Sequence, residues 1–221
     1  MKVTTDACLF GAWIASQIVK KELQPERILD IGTGTGLLSL MIAQKSVAAI
    51  DAVELEENAF RQAESNINKS PWKSRIKVIN SDIKHFLSAG FYDIIISNPP
   101  FFENELESPD IAVNLARHDE GLTFIDLLNV VNKRLSESGS FAVLLPYQKL
   151  EYFERLAKAI GLYPVIKLMV KQTPSHSFFR GIVIYGRIKS AFSYNEITIK
   201  DVSGNYTEQF VALLKDFYLH L

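Results

Sequence analysis

Two rhythms of apolar residues alternate along this chain. One is the short, nearly continuous run: residues 28–31, 47–53, 76–80, 92–96 and 140–145 have the length of strands, and the density of apolar positions predicts strands covered on both faces. The other is a spacing of three and four. Phe124, Ile125, Leu127, Leu128, Val131 and Leu135 share one helical face, and residues 149–160 repeat that pattern before Gly161 stops it. A helix from about 35 to 44, a lead-in helix within 1–24 and a helix over 207–217 complete the helical set. Gly139 is expected to break the helix that starts at Phe124, and Pro146 to end the strand that starts at Ser140. Residues 163–170 and 181–188 read as two late strands joined by 171–180, with 197–199 as one further short strand. Strands alternating with helices predict an α/β fold, a Rossmann-like, doubly wound sheet. No repeat, linker or low-complexity stretch interrupts it, so 1–221 is expected to be one domain, lead-in over 1–24 and sheet with helices over 25–221.

Composition sharpens this modestly. A chain of 221 residues that is 48% hydrophobic can bury a sizeable core. No apolar run reaches the ~18 residues of a membrane span, and the N-terminus lacks a basic-then-apolar leader pattern. The lone cysteine, Cys8, excludes an intramolecular disulfide and fits a reducing compartment, so the expected location is cytoplasmic. Cys8 falls on an amphipathic helix and is expected to be a small buried side chain. The histidines at 85, 118, 176 and 220 have no ligand spacing, and no metal is expected.

The chemistry gathers where the strands end. Asn98-Pro99-Pro100-Phe101 closes the run at 92–96. Neither proline has an N–H for a ladder, and each restricts the residue before it to extended backbone. The result is a stiff turn that presents an amide, a carbonyl and a ring together, suited to a planar group bearing an NH2; an ordinary strand exit would read the same way. Asp30-Ile31-Gly32-Thr33-Gly34-Thr35-Gly36 follows the first strand. Glycines at 32, 34 and 36 depart from the dinucleotide fingerprint. With Asp30 before them they point to a ligand with an amino-acid moiety and an adenosine. Glu54, about 20 residues past the glycines, is placed for two ribose hydroxyls, although it could also cap a helix. Asp82 follows the strand at 76–80 and could take an adenine amino group or cap a helix. All four signals lie at carboxyl ends of strands, the edge where open α/β sheets bind ligands.

Taken in order, these motifs resemble a class I S-adenosylmethionine-dependent methyltransferase of the amino-group-modifying branch. The opening, Lys2-Val3-Thr4-Thr5-Asp6-Ala7-Cys8-Leu9-Phe10-Gly11-Ala12-Trp13, and Ala116-Arg117-His118 resemble the bacterial family that methylates N6 of adenine 37 in tRNA1(Val). That resemblance implies a seven-stranded sheet with an antiparallel C-terminal strand pair, and S-adenosyl-L-methionine held by Thr5, Asp6, Asp30, Gly32, Gly34, Gly36, Glu54, Asp82, Ile83 and Asn98. It implies catalysis by Asn98, Pro99, Pro100 and Phe101, with Phe101 stacking on the base and Phe102 a second wall or simply core. The implied partner is the anticodon loop of a tRNA, met by a monomer. Family members usually carry a short stretch ahead of this point, so a late or trimmed start is expected here.

The charge pattern bears on the RNA. Net charge is −1, so no global field draws in a polyanion. Between 165 and 189, however, Lys167, Lys171, Arg180, Arg187 and Lys189 occur without an acid, interleaved with Phe178 and Phe179. Basic residues among aromatics fit unpaired RNA, and Arg117, Lys171, Phe178 and Arg180 are the candidate contacts; a solvated edge strand would also carry such lysines. The acidic stretch Glu103, Glu105, Glu107 and Asp110 is expected to point away from the substrate or to move. Three other readings stay open: an enzyme methylating guanine N2 in ribosomal RNA, one methylating a release-factor glutamine, and a non-catalytic cofactor- or RNA-binding module.

Overall fold

The computed structural model describes residues 3–88, 90–99 and 122–221. In chain order its elements are α1 (Thr5–Val19), β1 (Arg27–Ile31), α2 (Leu37–Ala43), β2 (Ala49–Glu54), α3 (Glu57–Asn68), β3 (Ile76–Asn80), β4 (Tyr92–Ser97), α4 (Phe124–Arg134), β5 (Leu135–Pro146), a 3-10 turn (Tyr147–Lys149), α5 (Leu150–Ala159), β6 (Tyr163–Lys171), β7 (Phe178–Gly186), β8 (Ser193–Thr198) and α6 (Glu208–Leu214). The strands form one sheet in the order β3-β2-β1-β4-β5-β7-β6-β8. β1 to β5 pair in parallel, and β7 runs antiparallel between β5 and β6.

The central strands read as apolar runs because both of their faces are covered. Ile28, Ile94 and Ile96 face a layer that contains α1, α2 and α6, whereas Leu29, Ile31 and Ile95 face α4 and α5. Alternate residues of one strand thus feed two cores, as the pleat requires. Cys8 is buried in the first of these, as expected.

Local chemistry sets the ends. Thr123 and Asp126 form a reciprocal capping box at the start of α4. Gly161, at a φ of 76°, ends α5. The expected break at Gly139 is not a helix end: α4 stops at Arg134, and Gly139 lies inside β5. The Arg134 guanidinium donates to the carbonyls of Phe86 and Ser88, and Leu135 already pairs with Tyr92 before a register shift. α2 is shorter than expected, because the glycine turn continues to Gly36.

The late strands also differ from expectation. Among the described residues the sheet has eight strands rather than seven, and the pair β6–β7 is not its edge. β8 covers the outer side of β6 and runs parallel to it. Its first four residues, Ser193 to Glu196, are exposed and mostly polar, so no apolar run announced a strand longer than the short one foreseen at 197–199.

Candidate active site

Ser97 pairs with Ile31, and Ile31 with Val53, so β4, β1 and β2 end level with one another. Asn98, Gly32 and Glu54 lead off these three neighbouring ends, at the point where the strand order reverses. The Ser97 hydroxyl donates to the Ile31 carbonyl at 3.0 Å, and the Gly32 and Thr33 N–H groups donate to the Val53 carbonyl at 2.9 and 3.1 Å. These bonds lock the three exits together.

Gly32, Gly34 and Gly36 have φ values of 70°, 60° and 81°. Side chains there would be strained, and only glycine takes that backbone readily. Their surroundings differ, however. A Cβ on Gly32 would meet open space, whereas one on Gly36 would press against Ile67 of α3 at 3.2 Å. Gly32 leaves room for a ligand; Gly36 lets α3 pack close.

Asp30 is fully buried. Its Oδ2 accepts from Thr33 Oγ1 at 2.6 Å and Ser39 Oγ at 2.7 Å, and its Oδ1 has no hydrogen-bond partner among the described residues. Burial pushes its carboxyl up to about 6; the Thr33 and Ser39 bonds oppose that shift and the nearby charge of Glu54 adds to it. Glu54 accepts from the Gly34 N–H at 2.8 Å and the Glu56 N–H at 3.0 Å. The helix-capping duty left open for Glu54 belongs to Glu56, which accepts from Asn58 and Ala59 at the start of α3. Among the described residues neither Asp30 nor Glu54 has an ion pair. Two carboxylates beside an open glycine turn, one with an unpartnered buried oxygen, suit a ligand that brings a cation and hydroxyls.

The remaining expected contacts divide. Asp82 accepts from the Lys84 N–H at 2.8 Å and lies 3.7 Å from the Lys84 ammonium, so it braces its own turn. The Ile83 side chain is buried in the core beside α4 and α5. Thr5 lies beside Tyr218. Asp6 accepts from Arg180 Nε at 2.8 Å and from the Ala7 N–H at 3.1 Å. Burial works to raise the Asp6 carboxyl, but bonds from Thr4 and Arg180 and the guanidinium charge hold it below its ordinary value. Thr5 and Asp6 line a cavity of about 490 Å³ together with Gln172, Phe179, Lys200 and Tyr206.

Asn98 Oδ1 is buried and has no hydrogen-bond partner among the described residues, and Pro99 is buried behind it. A buried amide oxygen left unpaired costs about 1–3 kcal/mol, so its retention at a strand end points to a bond made to something else. Pro100, Phe101, Phe102, Ala116, Arg117, His118 and the acidic stretch at 103–110 lie outside the described residues. Of the late basic residues, Lys171 lies 3.6 Å from Glu196 and 4.4 Å above the Phe178 ring, and Arg187 donates to Asn132 and Leu135. Thr33, Ser39 and Ser97 went unnoticed in the sequence. The available signal was a hydroxyl one turn into the helix after a buried acid.

The methyltransferase small domain family matches this chain over residues 10–171. A protein of Pseudoalteromonas translucida named tRNA1(Val) (adenine(37)-N6)-methyltransferase is 40% identical over 100% of this chain and 93% of its own length. Its namesakes in Bacteroides fragilis and Trichodesmium erythraeum are 37% and 40% identical, over 100% and 99% of this chain and 92% and 91% of theirs. Among solved structures, an Agrobacterium tumefaciens protein described as an O-methyltransferase superposes with a TM-score of 0.69 at 17% identity, covering 95% of each chain. The glycopeptide N-methyltransferase MtfA, complexed with S-adenosyl-L-methionine, gives a TM-score of 0.60 at 10% identity, over 80% of this chain and 94% of its own. Both likenesses concern the fold.

Proposed function

Since the chain belongs to the family of tRNA1(Val) (adenine(37)-N6)-methyltransferases, we propose that it transfers a methyl group from S-adenosyl-L-methionine to the exocyclic N6 of adenine 37, beside the anticodon of tRNA1(Val). The observation that carries this reading is the buried Oδ1 of Asn98, without a hydrogen-bond partner among the described residues, at the reversal of strand order. The cofactor supplies an electrophilic methyl on a sulfonium. Asp30 and Glu54 would hold its ammonium and its ribose, Gly32 would admit it, and Thr5, Asp6, Asp82 and Ile83 would border it.

The residues at the end of β4 act on the acceptor. The amine of adenine is a poor nucleophile, because its lone pair is delocalised into the ring. Hydrogen bonds from that NH2 to Asn98 Oδ1 and to the Pro99 carbonyl draw the nitrogen towards a tetrahedral shape and turn its lone pair out of the ring plane. No side chain needs to remove a proton before attack. Positioning is the main effect the site supplies, and holding reactants in one geometry accounts for a large share of many rate enhancements. In this reading Phe101 would stack on the base.

The enzyme acts in the cytoplasm, as a monomer, on an anticodon loop whose adenine is already unpaired and therefore inexpensive to extrude. No helix among the described residues is long and apolar enough to cross a membrane. The deciding experiment is transfer from labelled S-adenosylmethionine into unmodified total tRNA, ribosomal RNA and a protein extract. N6-methyladenosine at position 37 of tRNA1(Val) is the expected product. Label in ribosomal guanine or in protein would overturn the target.

A further inference from the structure

Beyond the transfer site, the same edge of the sheet is rimmed by aromatic rings. Tyr147 directly follows β5 and is 43% exposed; its ring centroid lies 5.4 Å from that of Phe178 at the start of β7. From Tyr147 a groove of about 660 Å³ runs between α5 and the face of β6 and β8. Tyr194 and Phe192, 50% and 45% exposed, stand on its far wall, with the Lys167 ammonium 4.4 Å from the Phe192 ring. Rings exposed together along one groove keep apolar faces in water, an arrangement that marks a binding surface rather than a core.

Two observations favour nucleobases as the occupant. The first is charge. Arg155, Lys158 and Lys167 line the groove with Glu151 and Glu154, and Lys171 lies over the Phe178 ring beside Glu196, a small excess of positive charge on a chain whose net charge is −1. The second is position. Ser97 pairs with Val143, so Tyr147, four residues past Val143, projects about 10 Å beyond Asn98 on the neighbouring strand. Flat faces with cations at their margins suit unpaired bases and the phosphates between them; a duplex offers no free base faces.

We propose that this groove binds unpaired nucleotides flanking the target adenine in the same RNA, with Tyr147 as the first stacking platform. The inference rests on the reading that the substrate is RNA, and its test is separable from that reading. Anisotropy of a short fluorescein-labelled single-stranded RNA, titrated with the full chain, reads the groove without any methyl transfer. Tyr147→Leu is expected to weaken binding about tenfold, in the range of one lost base–aromatic stack, while Tyr147→Phe retains it. Tyr194→Ala, on the exposed face of β8, is expected to lose about threefold. In tRNA methylation the Tyr147→Leu loss falls on KM while kcat is retained, and S-adenosylhomocysteine affinity and thermal midpoint stay at wild-type values. Equal RNA affinity in wild type, Tyr147→Leu and Tyr194→Ala overturns the proposal and leaves the rings to a protein partner; equal losses for the Phe and Leu variants overturn stacking. A wild-type chain that binds short RNA through Tyr147 yet leaves tRNA unlabelled keeps the groove and overturns the tRNA assignment instead.

Discussion

At the ends of β1 and β2, Asp30 and Glu54 lie close together and have no cation among the described residues. Along β6 and β7 the situation is reversed: Lys167 pairs with Glu154, Lys171 with Glu196 and Arg180 with Asp6, and Arg187, just past β7, is bound by carbonyls. The first region keeps charge that folding does not satisfy, and there a ligand has to complete the electrostatics. The second has spent most of its cations on its own acids, so what it offers a partner is ring surface. A count of lysines and arginines between 165 and 189 therefore overstates the basic patch, whereas the acids at the ends of β1 and β2 have no cation among the described residues.

The severest way to break this contrast is to remove a group at the neighbouring end of β4, the buried amide oxygen of Asn98, which has no hydrogen-bond partner among the described residues. Asn98→Ala is expected to lower kcat by about two to three orders of magnitude, the scale of one deleted transition-state hydrogen bond. Cofactor affinity, measured by calorimetry, should change little, because Asp30 and Glu54 are untouched. Near-normal turnover in this variant would remove Asn98 from the mechanism.

The next test uses pH. Burial, with a smaller contribution from Glu54, raises the Asp30 carboxyl from an ordinary 3.8 to about 6. In the free protein its contribution to stability is full below the unfolded value and is lost as pH rises through about 6. A cationic ligand needs the ionised form, so affinity runs the other way: level above about 6 and falling by up to about tenfold per pH unit below it. Calorimetric titration with S-adenosylhomocysteine across that window reads the slope. Asp30→Asn should bind more weakly and show a flat profile, since the amide oxygen can still accept from Thr33 and Ser39. A wild-type profile that is itself flat would place the ligand cation elsewhere.

Legibility in the sequence followed how local each feature is. The glycine turn, Glu54 and Asn98 each sit at the end of an apolar run, and a parallel sheet with level ends brings them together without further information. The strands read at 76–80 and 92–96 were visible for the same reason. Other features depend on distant partners. Arg180 and Asp6 are 174 positions apart, and nothing local distinguishes an arginine that will meet RNA from one that will meet an aspartate. β8 escaped at full length because an exposed edge strand has no need of an apolar run. Gly139 resembled a helix stop, yet α4 had already ended where Arg134 caps the carbonyls of Phe86 and Ser88.

Within the second region the pairs should not be equal. Lys167 and Glu154 have side chains only 16% and 17% exposed, and although burial raises the Glu154 carboxyl, Lys158 and Lys167 hold it below its ordinary value. Lys167→Met leaves a largely buried carboxylate with Lys158 alone, and is expected to destabilise by about 1–2 kcal/mol. That corresponds to a fall of about 3–6 °C in thermal midpoint for a chain of this size. A midpoint within a degree of wild type would show that the pair is solvated.

Lys171 supplies the smallest and sharpest comparison. Its partner Glu196 is 3.6 Å away and half exposed, so the pair should contribute less than about 0.5 kcal/mol. Lys171→Met is thus expected to move the thermal midpoint by no more than about 1–2 °C. The same ammonium lies over Phe178, beside Tyr147, where the phosphates of a stacked strand would pass. Its loss should lower the slope of log affinity against log salt for RNA by about 1, the signature of one phosphate contact. If Lys171→Met instead matches Lys167→Met in stability and leaves the salt slope unchanged, both lysines are structural, and the division between an edge that awaits charge and an edge that has settled its own extends to every cation around the groove.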